Sequence, residues 1–367
     1  MDVTRSEVSK KIDLLREVAS RHSLDGILLQ RVSSLAWATG GATTYVNTAT
    51  SLAEASVLVT EHDQYLITNN IEATRLEKEE RLTSQGWSFH IFPWYEKNTS
   101  LRHLSEGLKL GADGCYPGAV DLSAEMAHLR ANLSAEEGDR FRILGQLCAQ
   151  AMDACARAIR PDQSEHEIAA LLASEAEVRG AQAIVNLIAV DERIYHFRHP
   201  LPSDKKLEHY AMLVLCGRRW GLVCSLTRLV YFGRLPEELC RKVEVVARVD
   251  GAMIAATRPG STLGQVFRRA KEAYASAGYA DEWHLHHQGG PAGYEPRETI
   301  ATPDSTDLVI AGQVYAWNPS ITGCKSEDSV LIKADGFEIL SAISGWPVIN
   351  VEVGGQTIER PDFLVVG

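Results

Sequence analysis

Long apolar runs are absent from this chain. Nowhere does a stretch of apolar residues approach the ~20 that a membrane-spanning helix needs. The segment 1–22 is charged and amphipathic and lacks the uninterrupted apolar core of a secretory signal. The sequence therefore predicts neither a membrane partner nor an exported protein, and a cytoplasmic location is expected.

An excess of basic residues is also missing. Lys and Arg number 37 against 48 Asp and Glu, which gives a net charge of -11. Nucleic acids and anionic membranes are bound by clustered Lys and Arg, so neither partner is expected. The seven cysteines are an odd number without the spacing of a disulfide framework, which again favours a reducing compartment.

What is present is ordinary globular composition, with 45% hydrophobic and 23% charged residues. A chain of 367 residues is long enough for two domains, each with its own core. Residues 1–133 alternate an amphipathic helical pattern, from Ser6 to Arg21, with short β-rich runs at 26–30, 56–60 and 65–68. This alternation predicts an N-terminal α/β domain over 1–133.

From Ser134 onward the pattern changes to long helices. Ser134 with Glu137, and Ser164 with Glu167, have the spacing of capping boxes, so each pair predicts a helix start. Strand-rich sequence follows, then two further helical segments over 237–258 and 262–278, and then strands again. The order helix pair, strands, helix pair, strands predicts a second domain over 134–367.

Two segments are rich in residue types found in active sites. WHLHHQGGPAGYEPRE, residues 283–298, holds three histidines, and AWNPSITGCKSEDSVLI, residues 316–332, offers an amide and adjacent carboxylates. His287, Gly290 and Glu295 resemble the HGxG…HExP stretch of the pita-bread superfamily, which includes creatinase, prolidase and aminopeptidase P. Residues 318–320 and 325–328 resemble its EPG and (R)xED strands, and residues 196–207 resemble its HxxPSDRKL stretch.

The resemblance implies a fold and an assembly. It implies an α/β N-terminal domain and an α+β pita-bread C-terminal domain with a duplicated helix pair and an antiparallel sheet. Relatives of this kind pair their subunits, so a homodimer is expected.

The resemblance also implies a ligand set that this chain lacks. Metal-dependent members hold two divalent ions with two Asp, one His and two Glu. Here Ser225 stands at one Asp position, the other falls within 214–216, and Asn318 replaces one Glu. Of the five ligands, His287 and Glu327 remain, which is too few carboxylates to neutralise two dications. We therefore expect no metal pair and no cofactor, with a single divalent ion left open.

Roles for individual residues follow from the resemblance to creatinase, a metal-free member. It implies that His199 is the general acid and base, since imidazole exchanges a proton near neutrality. Glu327 and His287 complete the catalytic set that we predict. Candidate substrate-binding residues are the remaining polar groups of the motifs: His196, Ser225, Arg228, Tyr294, Arg297 and Asn318. The substrate is expected to be a small molecule or short peptide.

Several alternatives stay open at this point. The favoured function is hydrolysis of a C–N bond in a small polar substrate without a dinuclear metal centre. The chain could instead be an Xaa-Pro-type metallopeptidase with an altered ligand set, or a non-catalytic pita-bread binding module. If residues 284–286 form a strand, side chains along it alternate between its two faces, and one of His284 and His286 is expected to be structural. Cys216 and Cys224 lack the spacing of a zinc knuckle.

Overall fold

The structure is a computed structural model that describes residues 5–96 and 99–367. It divides into two units, Met1–Arg130 with Trp220–Leu222, and Ala131–Arg219 with Val223–Gly367. The sequence analysis places a domain boundary after residue 133. That boundary stays a prediction, because it concerns domains that fold independently. No helix within the described ranges is both long enough and apolar enough to cross a membrane.

The first unit is an α/β fold built on one sheet of six strands in the order β4-β3-β2-β1-β5-β6. Strands β1, β2 and β3 pair antiparallel, whereas β3–β4, β1–β5 and β5–β6 pair parallel. Its elements are α1 Arg5–Arg21, β1 Gly26–Arg31, α2 Val32–Ala38, β2 Leu52–Thr60, β3 Gln64–Asn69, α3 Ala73–Lys78, β4 Ser88–Phe92, α4 Thr99–Ser105, β5 Leu110–Ala112, β6 Val120–Asp121 and α5 Ser123–Ala131.

The second unit begins with the helix pair that the capping boxes predict. Ser134 accepts a hydrogen bond from the Glu137 backbone N at 3.2 Å, and the Glu137 carboxylate accepts one from the Ser134 backbone N at 2.7 Å. Ser164 and Glu167 make the same reciprocal pair. Both capping boxes are therefore confirmed, and each fixes the entry of a helix that packs under the central strands.

Helix pair and strands follow one another twice along the second unit. The first half consists of α6 Ala135–Ala158, α7 Glu165–Glu177, β7 Gln182–Val190, α8 Arg193–His196, β8 Tyr210–Arg219 and β9 Leu222–Phe232. The second half consists of α9 Glu237–Ala256, α10 Leu263–Ser276, β10 Gly289–Ala292, β11 Val314–Trp317, β12 Ser320–Ile321, β13 Cys324–Lys325, β14 Asp328–Lys333, β15 Gly336–Ile339, β16 Val348–Val353, β17 Gln356–Pro361 and β18 Leu364–Val366. The order predicted from the sequence is confirmed.

Two four-stranded sheets meet where the polar motifs lie. One has the order β18-β9-β8-β7 and the other the order β10-β11-β14-β15. Thr227 in β9 forms an antiparallel bridge with Glu327, the residue before β14, and its backbone N donates to the Glu327 carbonyl at 3.1 Å. A hydrophobic core of residues from α9, α10 and the strands fills the space beneath the sheets. The bridge brings the motifs of β9 and β14 side by side.

Gly289 allows the strand after the histidines to approach its neighbour. Its φ is +96°, and a Cβ at this position would lie 2.1 Å from the Ala316 carbonyl oxygen. Any larger residue therefore meets both a left-handed backbone and a backbone clash. A Cβ on the next residue, Gly290, would likewise clash with a backbone oxygen, that of Thr299.

Gly289→Ala should lower the free energy of unfolding by about 2–5 kcal/mol, because strain and overpacking add. Chemical denaturation with circular dichroism measures the change. Gly336→Ala is the matched control, since a Cβ there meets nothing within 4 Å. Equal stability of the two variants would contradict this account of the strand.

Candidate active site

Glu327 is the centre of the polar site. It lies between β13 and β14, is 2% exposed, and faces Thr227 across the bridge between the sheets. Arg297 donates from Nη2 to one carboxylate oxygen at 2.7 Å, and Lys325 Nζ lies 2.8 Å from the other. Thr227 Oγ1 donates to that second oxygen at 2.7 Å. Each oxygen of the carboxylate is therefore matched with one cationic side chain.

The charge state of Glu327 follows from these contacts. Burial by itself raises the pKa of the carboxyl group, because the ionised form loses its water. The charges of Lys325 and Arg297 act in the opposite direction, and so do the hydrogen bonds from Lys325 and Thr227. Together they hold the pKa well below the ordinary range, so the carboxylate is ionised throughout the physiological pH range.

A second buried network lies directly behind this one. Asp328 accepts from Arg228 Nη2 at 2.8 Å and from Arg360 Nη2 at 2.7 Å, and Arg360 Nε donates to Asp250 at 2.7 Å. Arg228 also donates to the carbonyl oxygens of Thr227 and Ser341. The structure thus places Arg228, a predicted substrate-binding residue, 2% exposed among protein partners that join β9 to β14.

Three histidines form a cluster at this end of the sheets. Ligating atoms of His199, His286 and His287 all lie within 4.8 Å of one another. The Nε2 atoms of His199 and His286 are 3.0 Å apart, so one ring donates a hydrogen bond and the other accepts it. His199 is exposed, His286 is 8% exposed, and His287 is intermediate. His199 therefore connects the buried part of the cluster to solvent.

Burial and nearby cations keep these imidazoles neutral. Burial lowers the pKa of His286 to about 2, with Lys325 adding to the effect, and lowers that of His287 to about 4, with Arg297 and Lys325 adding to the effect. The pKa of His199 is also lowered, first by burial and then by Lys325, although Glu327 acts to raise it. All three rings are neutral near pH 7. Lys325 and Glu327 act on each of them, and these two residues together with Arg297 and Thr227 are called the Glu327 group below.

The strand considered for residues 284–286 is not formed. Glu282–Leu285 form a short 3₁₀ helix, and His284 is exposed on it, stacked against Trp283 with ring centroids 3.7 Å apart. His286 follows in extended backbone and joins the cluster. A strand pattern read over three residues could not reveal this turn, and His286 is not among the residues predicted for the site.

The remaining predicted residues lie in different surroundings. Ser225 Oγ accepts a hydrogen bond from Arg297 at 3.2 Å and donates to the Cys216 sulfur at 3.2 Å, so it belongs to the Glu327 group. Asn318 is 3% exposed, and its side-chain oxygen has no hydrogen-bond partner within residues 5–96 and 99–367. Trp317 of β11 lies opposite Asp328 of β14 in an antiparallel pair. In this register the next two residues, Asn318 and Glu327, lie opposite each other.

Tyr294 and His196 are not brought into contact with the Glu327 group by any described hydrogen bond. The Tyr294 hydroxyl donates to Glu137 at 2.5 Å and so ties β10 to the start of α6. His196 is exposed at the end of α8, edge-on to Phe197 at 6.2 Å. Their predicted contact with substrate stays a prediction.

Lys325 is the residue that the sequence reasoning missed. It is not among the residues predicted for the site, yet its side chain is 6% exposed and lies 2.8 Å from the Glu327 carboxylate. The available signal was its position two residues before Glu327 in an otherwise apolar run, where a strand directs both side chains to the same side.

The cysteines give no zinc knuckle. Cys216 lies against Ser225, and burial raises the pKa of its thiol to about 11. Cys224 instead interacts with Cys148 on α6. Ser225, the neighbour of Cys216, and Cys224 are consecutive residues of β9, so their side chains face opposite sides of that strand.

The pair of divalent ions implied by the family resemblance does not fit these residues. Glu327 is the one carboxylate of the group, and both of its oxygens are held by cationic side chains at 2.7 and 2.8 Å. Cys216, Ser225 and Asn318 contribute no negative charge, whereas two dications need several carboxylates. A paired metal would have to displace Arg297 and Lys325 and would repel them.

Known proteins resemble this chain in sequence and fold. The chain is 27% identical over 151 residues to an uncharacterized peptidase of Staphylococcus epidermidis, a match that covers 39% of this chain and 43% of that protein. It thus spans less than half the length of that relative. It is 23% identical over 366 residues to the Xaa-Pro dipeptidase of Pyrococcus horikoshii, covering 93% of this chain and 98% of that one.

The prolidase structure from Pyrococcus horikoshii superposes with a TM-score of 0.79 at 19% identity, covering 91% of this chain and 99% of that chain. This likeness concerns the fold, and it confirms the predicted α/β domain followed by a pita-bread domain. Residues 139–334, more than half of the chain, match the model of metallopeptidase family M24. The chain therefore belongs to metallopeptidase family M24, a family of hydrolases that act on peptide C–N bonds.

Proposed function

We propose that this protein hydrolyses a C–N bond of a small polar substrate, a short peptide or a related amide, without a pair of divalent metals. The observation that carries the proposal is the Glu327 carboxylate, with Arg297 on one oxygen and Lys325 on the other. In this proposal, the side chains of Arg297 and Lys325 supply the positive charge that a pair of metals would otherwise supply. Membership in family M24 supports the reaction class.

His199 is the proposed proton carrier. It is exposed at the edge of the cluster, hydrogen bonded to His286, and neutral near pH 7 because its pKa is lowered. A neutral imidazole accepts a proton from water as the oxygen attacks the carbonyl carbon. When the C–N bond breaks, the imidazolium returns that proton to the leaving nitrogen. The products are a carboxylic acid and an amine, and His199 is regenerated.

The other residues of the site take positioning and electrostatic roles. Arg297 carries positive charge beside Ser225 and Glu327, where it stabilises negative charge that develops on the carbonyl oxygen. Glu327 acts through the two cations that it orients rather than by contact with substrate. His287 and Asn318 are proposed to line the pocket. A pita-bread relative, the Xaa-Pro dipeptidase of Pyrococcus horikoshii, makes a short peptide the first substrate class to examine.

One second candidate rests on a specific observation. His199, His286 and His287 offer ligand atoms within 4.8 Å of one another, a donor set that suits a single zinc ion. That arrangement would make the protein a mononuclear metallopeptidase. The positive charge of Lys325 acts on all three rings, that of Arg297 acts on His199 and His287, and both oppose a dication there. A non-catalytic binding module remains the alternative if no amide is hydrolysed.

The cytoplasmic location and the homodimer stay predictions.

His199→Ala should abolish hydrolysis while leaving the fold unchanged, because the exposed ring carries the proton without supporting the core. The assay is release of primary amine from a panel of dipeptides and N-acyl amino acids, in buffer containing EDTA. A loss of at least about 100-fold is expected for removal of a general base. His284→Ala is the matched control, since that histidine is also exposed but lies outside the cluster. Full activity in His199→Ala, or activity that requires added metal, would contradict the proposal.

The pH profile of kcat/KM should report the same residue. The basic form of His199 is the active form, so activity should fall as pH drops through its pKa. Because that pKa is lowered, the midpoint should lie below the ordinary value of about 6.5. Lys325→Met removes a cation that lowers the pKa, so its midpoint should move upward. A midpoint at or above about 6.5 in the unmodified enzyme, or an unchanged midpoint in Lys325→Met, would mean that a group other than His199 causes the loss of activity at low pH.

A further inference from the structure

A second cavity lies in the second unit, against the loop that joins α9 to α10, and has a volume of about 410 Å³. Three arginines contribute to its wall, so it is called the arginine cavity here. Its polar lining consists of Arg258, Ser261, Gln265, Arg268, Arg269 and Glu272. None of these residues belongs to the Glu327 group or to the histidine cluster, so the arginine cavity is a separate feature of the molecule.

The arginine cavity holds more positive than negative charge. Glu272 is the one carboxylate in its lining, and Arg269 Nη1 donates to it at 2.7 Å. Arg258 and Arg268 form no ion pair with any residue in the ranges 5–96 and 99–367. Two positive charges therefore lack a counter-charge. Because the chain as a whole has a net charge of -11, this local excess of positive charge does not follow from its composition.

Arg258 is positioned by packing rather than by hydrogen bonds. Its guanidinium carbon lies 5.6 Å from the centre of the Phe337 ring, and its side chain is half-buried. The guanidinium donates to none of the described residues, and its Nη1 is shielded from solvent. A guanidinium that is partly removed from water and has no acceptor is unfavourable. An anion in the cavity would supply the acceptors that the protein does not.

The start of α10 supplies further donors, but through side chains. The backbone N atoms of Leu263, Gly264 and Gln265 already donate to protein oxygens at 2.9, 2.9 and 3.1 Å. The Gln265 side-chain oxygen accepts from the Thr262 backbone N at 2.8 Å, which leaves the side-chain NH₂ group available. The Ser261 hydroxyl is a second uncharged donor in the lining. An anion here would therefore be bound by side chains rather than by the helix backbone.

We propose that the arginine cavity binds a phosphate dianion, held by Arg258 and Arg268 with Ser261 and Gln265 as additional donors. A phosphate monoester carries a charge of about -1.5 to -2 near pH 7, which matches the two cations that lack a counter-charge. The planar donor fork of arginine also matches the geometry of phosphate oxygens. Cavities of roughly 300–1,000 Å³ accommodate small organic ligands, so both inorganic phosphate and a small phosphate ester fit.

Calorimetric titration of the whole protein, in buffer without phosphate or sulfate, tests the proposal with three probes. Glycerol 3-phosphate and inorganic phosphate provide the dianion, and glycerate provides a carboxylate of similar size to the ester. At least one phosphate should bind about tenfold or more tightly than glycerate, because charge-assisted bonds to two arginines favour the dianion. Tighter binding of glycerol 3-phosphate assigns the cavity to an organic phosphate, and tighter or equal binding of inorganic phosphate assigns it to the free ion. Binding of neither phosphate, or equal affinity for glycerate, would overturn the proposal.

Substitutions locate the bound anion. Arg268→Met and Arg258→Met each remove one cation and should weaken phosphate binding at least about tenfold. Arg268 is exposed, so its variant should fold and decides the question even if Arg258→Met does not. Arg241→Met is the matched control, since Arg241 is 69% exposed on α9 and does not line the cavity.

Undiminished phosphate binding in Arg268→Met would place the anion elsewhere, the Glu327 group included, and overturn the assignment. An equal loss in Arg241→Met would reveal a general effect of surface charge and would also overturn it. The titration requires no turnover, so its outcome does not depend on whether the protein hydrolyses an amide.

Discussion

The structure of the site depends on one buried ionic interaction, that of Glu327 with Arg297 and Lys325. A carboxylate this deeply buried would be protonated or would unfold the strand end if it were left alone, because desolvation raises its pKa. Two cations at 2.7 and 2.8 Å hold it ionised. Removing the carboxylate would leave two like charges buried together, so the three residues are interdependent.

The architecture explains how the three charges meet. The bridge between Thr227 and Glu327 joins the sheet of β9 to that of β14, and the Arg228 network ties the same two strands a residue further along. Arg297 arrives from the loop after β10, and Lys325 from β13, two residues before Glu327. Strands therefore position Lys325 and Glu327, whereas Arg297 and His199 reach the site from loops. In the proposed reaction, this arrangement holds charges beside the His199 ring while that ring exchanges protons with solvent.

Much of this fold was predictable from local sequence. Capping boxes at Ser134 and Ser164 and the repeated order of helix pairs and strands depend on neighbouring residues, so the chain itself contains the signal. The apolar residues that follow Glu327 and Asp328 in the sequence are likewise typical of a buried strand. The sequence also shows Ser225 and Asn318 at positions where the family resemblance implies acidic metal ligands.

The partners of Glu327 were not predictable in the same way. Arg297 lies 30 residues away in sequence and Lys325 two, and pairing across sheets depends on register that no local pattern records. His286 was misjudged because the preceding residues form a 3₁₀ helix rather than a strand. Tertiary contact decided which polar residues of the motifs share a site and which, such as Arg228, stabilise the strands behind it.

Metal content measures the central claim most directly. The protein should be purified without added metal, then incubated with an excess of Mn²⁺ or Zn²⁺, passed through a desalting column and analysed for transition metals. The account predicts fewer than two ions per chain in both samples, because Arg297 and Lys325 occupy the oxygens of the single carboxylate. Two ions per chain retained after desalting would contradict it.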